Sequence, residues 1–264
     1  MLARFLREAG VFTGAEVNDS EDASDVMRLV RHLVERWYPT YGDFFREGDP
    51  DLDELVRSVF DIHFDGRQPA GRWGWKLCET LYALPVVACL FPTALFVHLV
   101  RDGRDVSFSN HEWPRDVFWR KVYFDTDRMR EWQDRRLDPR AYRQEPHIFN
   151  ARHWVNSVSV ARQYGAMLGA RYIEVRYEAL VRDFRTTARQ LATWLDLAVD
   201  EEFLDRFATT VSTGAVGKHR EQPRRARAAA EAILEPTLTA FGYGDGVSHA
   251  PPIGWRHLAR ALRP

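Results

Sequence analysis

Apolar positions recur at helical spacing from the first residues: Leu2, Phe5, Leu6 and Ala9 share one face and Gly10 follows, which predicts a helix over 1–9 with a glycine cap. The chain opens inside that helix with no N-cap residue ahead of it, so a preceding segment is expected upstream. The same period predicts helices over 22–37, with Val26, Leu29, Val30, Leu33 and Val34 inward, and over 51–60, with Leu52, Leu55 and Val59 inward. Trp73-Gly-Trp-Lys-Leu-Cys is a short apolar run read as a strand ending at its lysine, after which 79–90 turns helical until Pro92 breaks it. Residues 95–100, Leu-Phe-Val-His-Leu-Val, have the length and β-branched content of a buried strand.

After the turn at Gly103, a helix opens at Asp105. Residues 113–146 are charged and aromatic (Trp113, Phe118, Trp119, Tyr123, Trp132, Tyr142) with weak periodicity, which reads as a cap or lid. A strong helix over 149–168 stops at Gly169, a strand covers 171–176, and helices cover 186–195 and 201–209. A last helix over 224–241 is expected to break near Pro236, and 242–254 is a Gly- and Pro-rich linker. Strands alternating with helices imply a parallel sheet with crossover connections, hence an α/β fold. The expected organisation is one domain over 1–246 with 113–146 as its insertion, and a tail over 247–264.

The chain has 264 residues, 45% hydrophobic, enough for one full core. Lys and Arg number 37 against 38 Asp and Glu, so a formal charge of -1 gives no global attraction to nucleic acid or an anionic membrane, and any anion site must be local. The best apolar run, 81–90, is too short to span a bilayer, and no signal peptide is evident. Cys78 and Cys89 form neither a disulfide framework nor a metal-ligand spacing, which leads to the expectation of a reducing, cytoplasmic setting and no metal.

Candidate chemistry concentrates at Leu99-Val-Arg-Asp-Gly-Arg-Asp-Val-Ser-Phe-Ser-Asn. In a parallel sheet ligands bind beyond the carboxyl ends of the strands. There, Arg101 and Arg104 offer guanidinium forks, Ser107 and Ser109 on the following helix add hydroxyl donors, and helix N-terminal amides would help to hold a phosphomonoester. The same turn reads equally as a surface ion-pair turn, with Arg104 answering Asp102 or Asp105.

Phe96-Val-His-Leu-Val-Arg-Asp-Gly-Arg-Asp-Val-Ser-Phe-Ser resembles the 3′-phosphate motif of sulfotransferases that use 3′-phosphoadenosine 5′-phosphosulfate. Trp73-Gly-Trp-Lys, the strand-like Val175-Arg-Tyr-Glu-Ala-Leu-Val and the loop Val216-Gly-Lys-His-Arg-Glu-Gln resemble further motifs of that family, in the family's order. The resemblance implies a P-loop-like three-layer fold, a central parallel sheet flanked by helices. It implies transfer of a sulfuryl group to a hydroxyl, or an amine, of a small molecule or glycan. Arg101, Ser109, Lys218 and Arg220 would then hold the 3′-phosphate and Tyr177 the adenine. The family's first strand and its 5′-phosphosulfate loop have no counterpart before Met1, so either the start lies further upstream or the chain is a degenerate, non-catalytic nucleotide-binding or partner protein. A nucleotide kinase is a weaker reading, since G-x-x-x-x-G-K-[ST] does not occur.

Sulfuryl transfer needs a base for the acceptor and positive charge for the group in flight. Lys76 supplies charge. Cys78 stands where many relatives carry a histidine base, which leaves Glu79 or His111 for that role. Cys78 itself reads as a packed small side chain, and His98 as a hydrogen-bonded histidine of the core.

Overall fold

The computed structural model describes residues 1–38, 40–67, 70–109, 118 and 145–244, and the chain divides into two compact units, Met1–Phe91 and Pro92–Pro264. Most of the predicted cap over 113–146 and the tail beyond 246 lie outside the described residues.

The first unit is helical. Helix α1 (Leu2–Glu8) ends before Gly10, which takes φ +93°, so the glycine stop operates as expected. Helix α2 (Ser24–Trp37) buries Val26, Leu29, Val30, Leu33, Val34 and Trp37, an i, i+3, i+4 series that forms one apolar stripe. Each such side chain stabilises by about 1.5–3 kcal/mol on burial. The stripe packs against α4 (Leu52–His63) and α5 (Thr80–Leu90). Between α2 and α4 in the chain, α3 (Tyr41–Glu47) is a helix that the sequence pattern did not announce. Buried Asp25 of α2 meets the Nδ1 of buried His63 at 2.9 Å, and His63 Nε2 lies 3.2 Å from the Gly74 carbonyl.

The Trp73 run departs from expectation: it is extended but forms no strand ladder, only an isolated parallel bridge with Phe12. Its indoles hold it instead. Trp73 and Trp75 stack at 6.3 Å and pack with Phe60 and Phe91, with ring centroids 5.3–5.8 Å apart. Residues two apart in an extended chain share a face, so one aromatic cluster takes both indoles.

The second unit carries the described sheet, two strands in parallel: β1 (Phe96–Val100) and β2 (Tyr172–Arg176), paired from Phe96↔Tyr172 to Val100↔Arg176. Between them come α6 (Gly103–Ser107) and the long α7 (Pro146–Leu168). After β2 follow α8 (Tyr177–Arg182), α9 (Phe184–Trp194), α10 (Glu201–Ala208), a 3-10 turn Lys218–Glu221 and α11 (Arg224–Ala240). The described fold is thus mixed α/β, mostly helical with a small parallel sheet.

Several expectations are corrected here. Strand β1 is half-buried, with Leu99 37% exposed, because only β2 pairs with it among the described residues. Helix α6 starts two residues early, since Asp102 caps it by accepting from the Arg104 amide. Ser109 therefore lies past the helix end. Tyr177 and Glu178 begin a helix rather than extending the strand. Helix α11 runs unbroken through Pro236: the proline costs about 3 kcal/mol, but Ala230, Leu234 and Leu238 are buried on one face and outweigh it. That face meets Val100, Ala151, Trp154, Val158, Phe241 and Tyr243 in one buried apolar cluster of the unit. Among the described residues no helix is long and apolar enough to cross a membrane.

Candidate functional site

Because β1 and β2 end level, the residues that follow them, Arg101 and Tyr177, emerge side by side. The Arg101 guanidinium lies over the Tyr177 ring, 5.3 Å from its centroid, a cation–π arrangement. The backbone beneath is fixed from three sides. Trp154 Nε1 donates to the Arg101 carbonyl at 2.9 Å, the Asp102 amide donates to Glu178 Oε1 at 2.8 Å, and Asn150 Nδ2 donates to the Ser107 and Ser109 carbonyls, both at 3.1 Å. Gly103 has no room for a side chain: a Cβ there would sit 2.7 Å from Trp154 and 2.9 Å from Leu234.

The two arginines of the motif part company. Arg104 is consumed by structure, donating Nε and Nη2 to Asp102 at 2.7–3.1 Å and Nη2 to the Tyr243 carbonyl at 3.1 Å. The ion-pair reading of the turn holds for Arg104, and its partner is Asp102. Hydrogen bonds from Arg104 to that carboxylate outweigh its desolvation and hold the guanidinium pKa above its ordinary value. Arg101 is different. It donates Nη2 to the Ala215 carbonyl, while its Nε is buried without a partner.

The turn at 214–221 stands against the same strand end. Gly217 takes φ +79°, where a glycine is favoured. The amides of Gly217 and His219 donate to the two oxygens of Asp105 at 2.7 and 3.0 Å, and the His219 ring donates Nδ1–H to the same carboxylate at 2.7 Å. Burial alone would raise the Asp105 pKa, but those donors outweigh it and hold the carboxyl below its ordinary value. Lys218 lies between the two anchored residues. Desolvation first, then the charge of Arg101, lower its ammonium pKa, while Asp105 pulls weakly the other way. Neither Arg101 nor Lys218 forms an ion pair among the described residues.

Of the residues expected to hold a 3′-phosphate or the adenine, the structure brings Arg101, Tyr177 and Lys218 together. Ser109 is half-buried, and its hydroxyl donates back to the Asp105 carbonyl at 3.0 Å. Arg220 is exposed on the Lys218 turn. The α6 amides are not free for an anion as expected, since Asp102 takes that of Arg104 with its side chain and those of Asp105 and Val106 with its carbonyl.

The residues expected to do chemistry lie in the first unit. Lys76 Nζ donates to Asp22 at 2.6 Å and to the Ser20 carbonyl at 3.0 Å. Glu79 is 3% exposed and accepts from Arg31 at 3.1 Å and from the Cys78 thiol at 3.0 Å. Desolvation and the Glu79 charge push the Cys78 pKa well above its ordinary value, which disfavours a thiolate. Cys78 is exposed as a residue, not packed as expected. His111 lies outside the described residues. No group of three potential metal ligands occurs among the described residues.

Sequence reasoning missed the buttresses: Trp154, Glu178 and the Asp105–His219 pair. Glu178 also accepts from Tyr243 at 2.9 Å, and its burial raises its pKa. The available signal was that Asp105, Glu178 and His219 each stood inside a motif.

A family model described as the sulfotransferase family matches residues 12–201, a span that takes in most of the first unit and the greater part of the second. No curated protein matches the chain.

Proposed function

The chain belongs to the sulfotransferase family, and on that premise we propose that it moves a sulfuryl group from 3′-phosphoadenosine 5′-phosphosulfate to a hydroxyl, or an amine, of a small molecule or glycan. The observation that carries the reading is the uncompensated cation pair at the end of β1. Arg101 has a buried, unpartnered Nε, and desolvation first, then the Arg101 charge, disfavour the Lys218 ammonium, so the pair is suited to a dianion. We assign the 3′-phosphate to Arg101 and Lys218. Ser109 joins them by turning its hydroxyl away from the Asp105 carbonyl, and Arg220 does so by folding inward. Tyr177 faces the adenine. The parallel pair β1 and β2, with its helices, is read as part of a P-loop-like three-layer sheet.

The donor supplies an activated S–O bond. Its cleavage transfers the sulfuryl group to the acceptor oxygen and releases adenosine 3′,5′-bisphosphate and the acceptor's proton. Glu79 or His111 is assigned that proton, and Lys76 the charge that builds on the group in flight. Free Cys78 and Cys89 support a reducing, cytoplasmic setting.

Titration calorimetry with adenosine 3′,5′-bisphosphate and with adenosine 5′-monophosphate tests the assignment. The bisphosphate is expected to bind at least tenfold more tightly. Equal affinities would overturn the 3′-phosphate site.

A second reading, a non-catalytic nucleotide-binding or partner protein of the same fold, is favoured by the engagement of Lys76 with Asp22 and of Glu79 with Arg31. Release of the bisphosphate from the donor in the presence of a panel of hydroxyl acceptors separates the two. Binding without turnover across the panel would favour the second.

A further inference from the structure

Resting on the 3′-phosphate assignment above, we infer that Asp105 and His219 are positioning residues of the nucleotide site, which lock the 215–220 turn against the end of β1 and deliver Lys218 beside Arg101 without themselves touching the nucleotide.

Asp105 is 1% exposed, and a buried carboxylate is tolerated only when its lone pairs are satisfied. All three of its donors from outside its own helix come from one short turn: the Gly217 amide, the His219 amide and the His219 ring. The two amides flank Lys218 in sequence, so the carboxylate fixes the backbone on both sides of the lysine. An ionised carboxylate only accepts, so the His219 Nδ1 must carry the hydrogen, and the side chain, 10% exposed, is held in one orientation. Arg101 adds a further tie by donating to the Ala215 carbonyl on the same turn.

A direct role for Asp105 in gripping a phosphate is ruled out by like charge. Its oxygens are committed to the turn instead, and Lys218 is ordered before any ligand arrives. Ordering in advance removes an entropic cost from binding. Loss of the His219 ring would return that cost to the binding step, and only for ligands that bear the 3′-phosphate.

The ratio of affinities for adenosine 3′,5′-bisphosphate and adenosine 5′-monophosphate, measured by calorimetry on the full chain, reads this effect. His219→Ala is expected to lower the ratio about tenfold and leave the monophosphate affinity unchanged. His219→Asn, whose amide can donate where Nδ1–H does, is expected to recover most of it. His219→Leu fills the buried space without a donor and gives the same reading should the alanine variant unfold, and Asp105→Asn lowers the ratio independently. A wild-type ratio in the leucine and Asp105→Asn variants, or equal weakening of both nucleotides, would overturn the positioning role and leave the 3′-phosphate site standing. A wild-type protein that does not discriminate between the nucleotides would remove the assignment on which the inference rests, and the inference with it.

Discussion

Arg101 and Arg104 differ by three positions and by everything around them. Arg104 is paired with Asp102, and the two side chains are 20% and 11% exposed, so removing it leaves a largely buried carboxylate short of donors. Arg104→Met should cost about 1–3 kcal/mol, seen as a fall of several degrees in Tm, with the bisphosphate affinity nearly unchanged. Arg101→Met should do the reverse, weakening the bisphosphate by roughly ten- to a hundredfold at nearly constant Tm. Reversal of that pattern would exchange their roles. Spacing in the sequence left both arginines in contention. What separated them was Asp102, which caps α6 and takes its partner from the first turn, a choice visible only once the helix start is known.

At the scale of elements, the site depends on how closely α6 approaches α7 and α11. Gly103 is the point of contact, and Gly103→Ala would drive a methyl group into Trp154 and Leu234. Overpacking of this kind costs about 1–3 kcal/mol. Since Trp154 also holds the Arg101 carbonyl, thermal melting and nucleotide titration of the variant should both show loss; an unchanged Tm would mean the helices part freely. Helices α2, α4 and α9 were legible because an apolar stripe repeats every 3.6 residues whatever surrounds it. The extended run at Trp73 was not, because pairing depends on a partner elsewhere in the chain, and there an aromatic cluster took its place. The end of β2 at Arg176 was legible in the residues, whereas the family resemblance carried Tyr177 and Glu178 on as strand where a helix starts.

Acid tolerance belongs to the molecule as a whole. His98 Nδ1 is hydrogen-bonded to the Tyr172 hydroxyl at 2.6 Å, and desolvation lowers the histidine pKa from 6.5 to about 4, more than the nearby Glu174 raises it. Between those values the unfolded chain protonates His98 and the folded chain does not, so unfolding takes up a proton. Stability is therefore full above pH 6.5 and falls by about 3 kcal/mol as the pH drops to about 4. Glu174, held low by Arg162 against its own desolvation, adds a loss of the same sign at lower pH. Urea midpoints measured from pH 7 to 4 should decline, and His98→Gln should flatten the decline; a parallel slope in the variant would assign it elsewhere. The histidine was expected in the core as a hydrogen-bonded residue; it is hydrogen-bonded but only half-buried, and its tyrosine partner lies 74 residues away, beyond what a local pattern shows.

The level ending of β1 and β2 bears on how such a chain can change over evolutionary time. Strand register, not the length of residues 101–171 between the strands, sets Arg101 beside Tyr177. Closing a longer connection costs only about 0.6 kcal/mol for each doubling of its length. Insertions and deletions in the part of that connection between Ser109 and Asn150 can therefore accumulate while Arg101 and Tyr177 stay side by side. Related chains should vary most in length between the positions of Ser109 and Asn150 and least at the two residues that follow the strands.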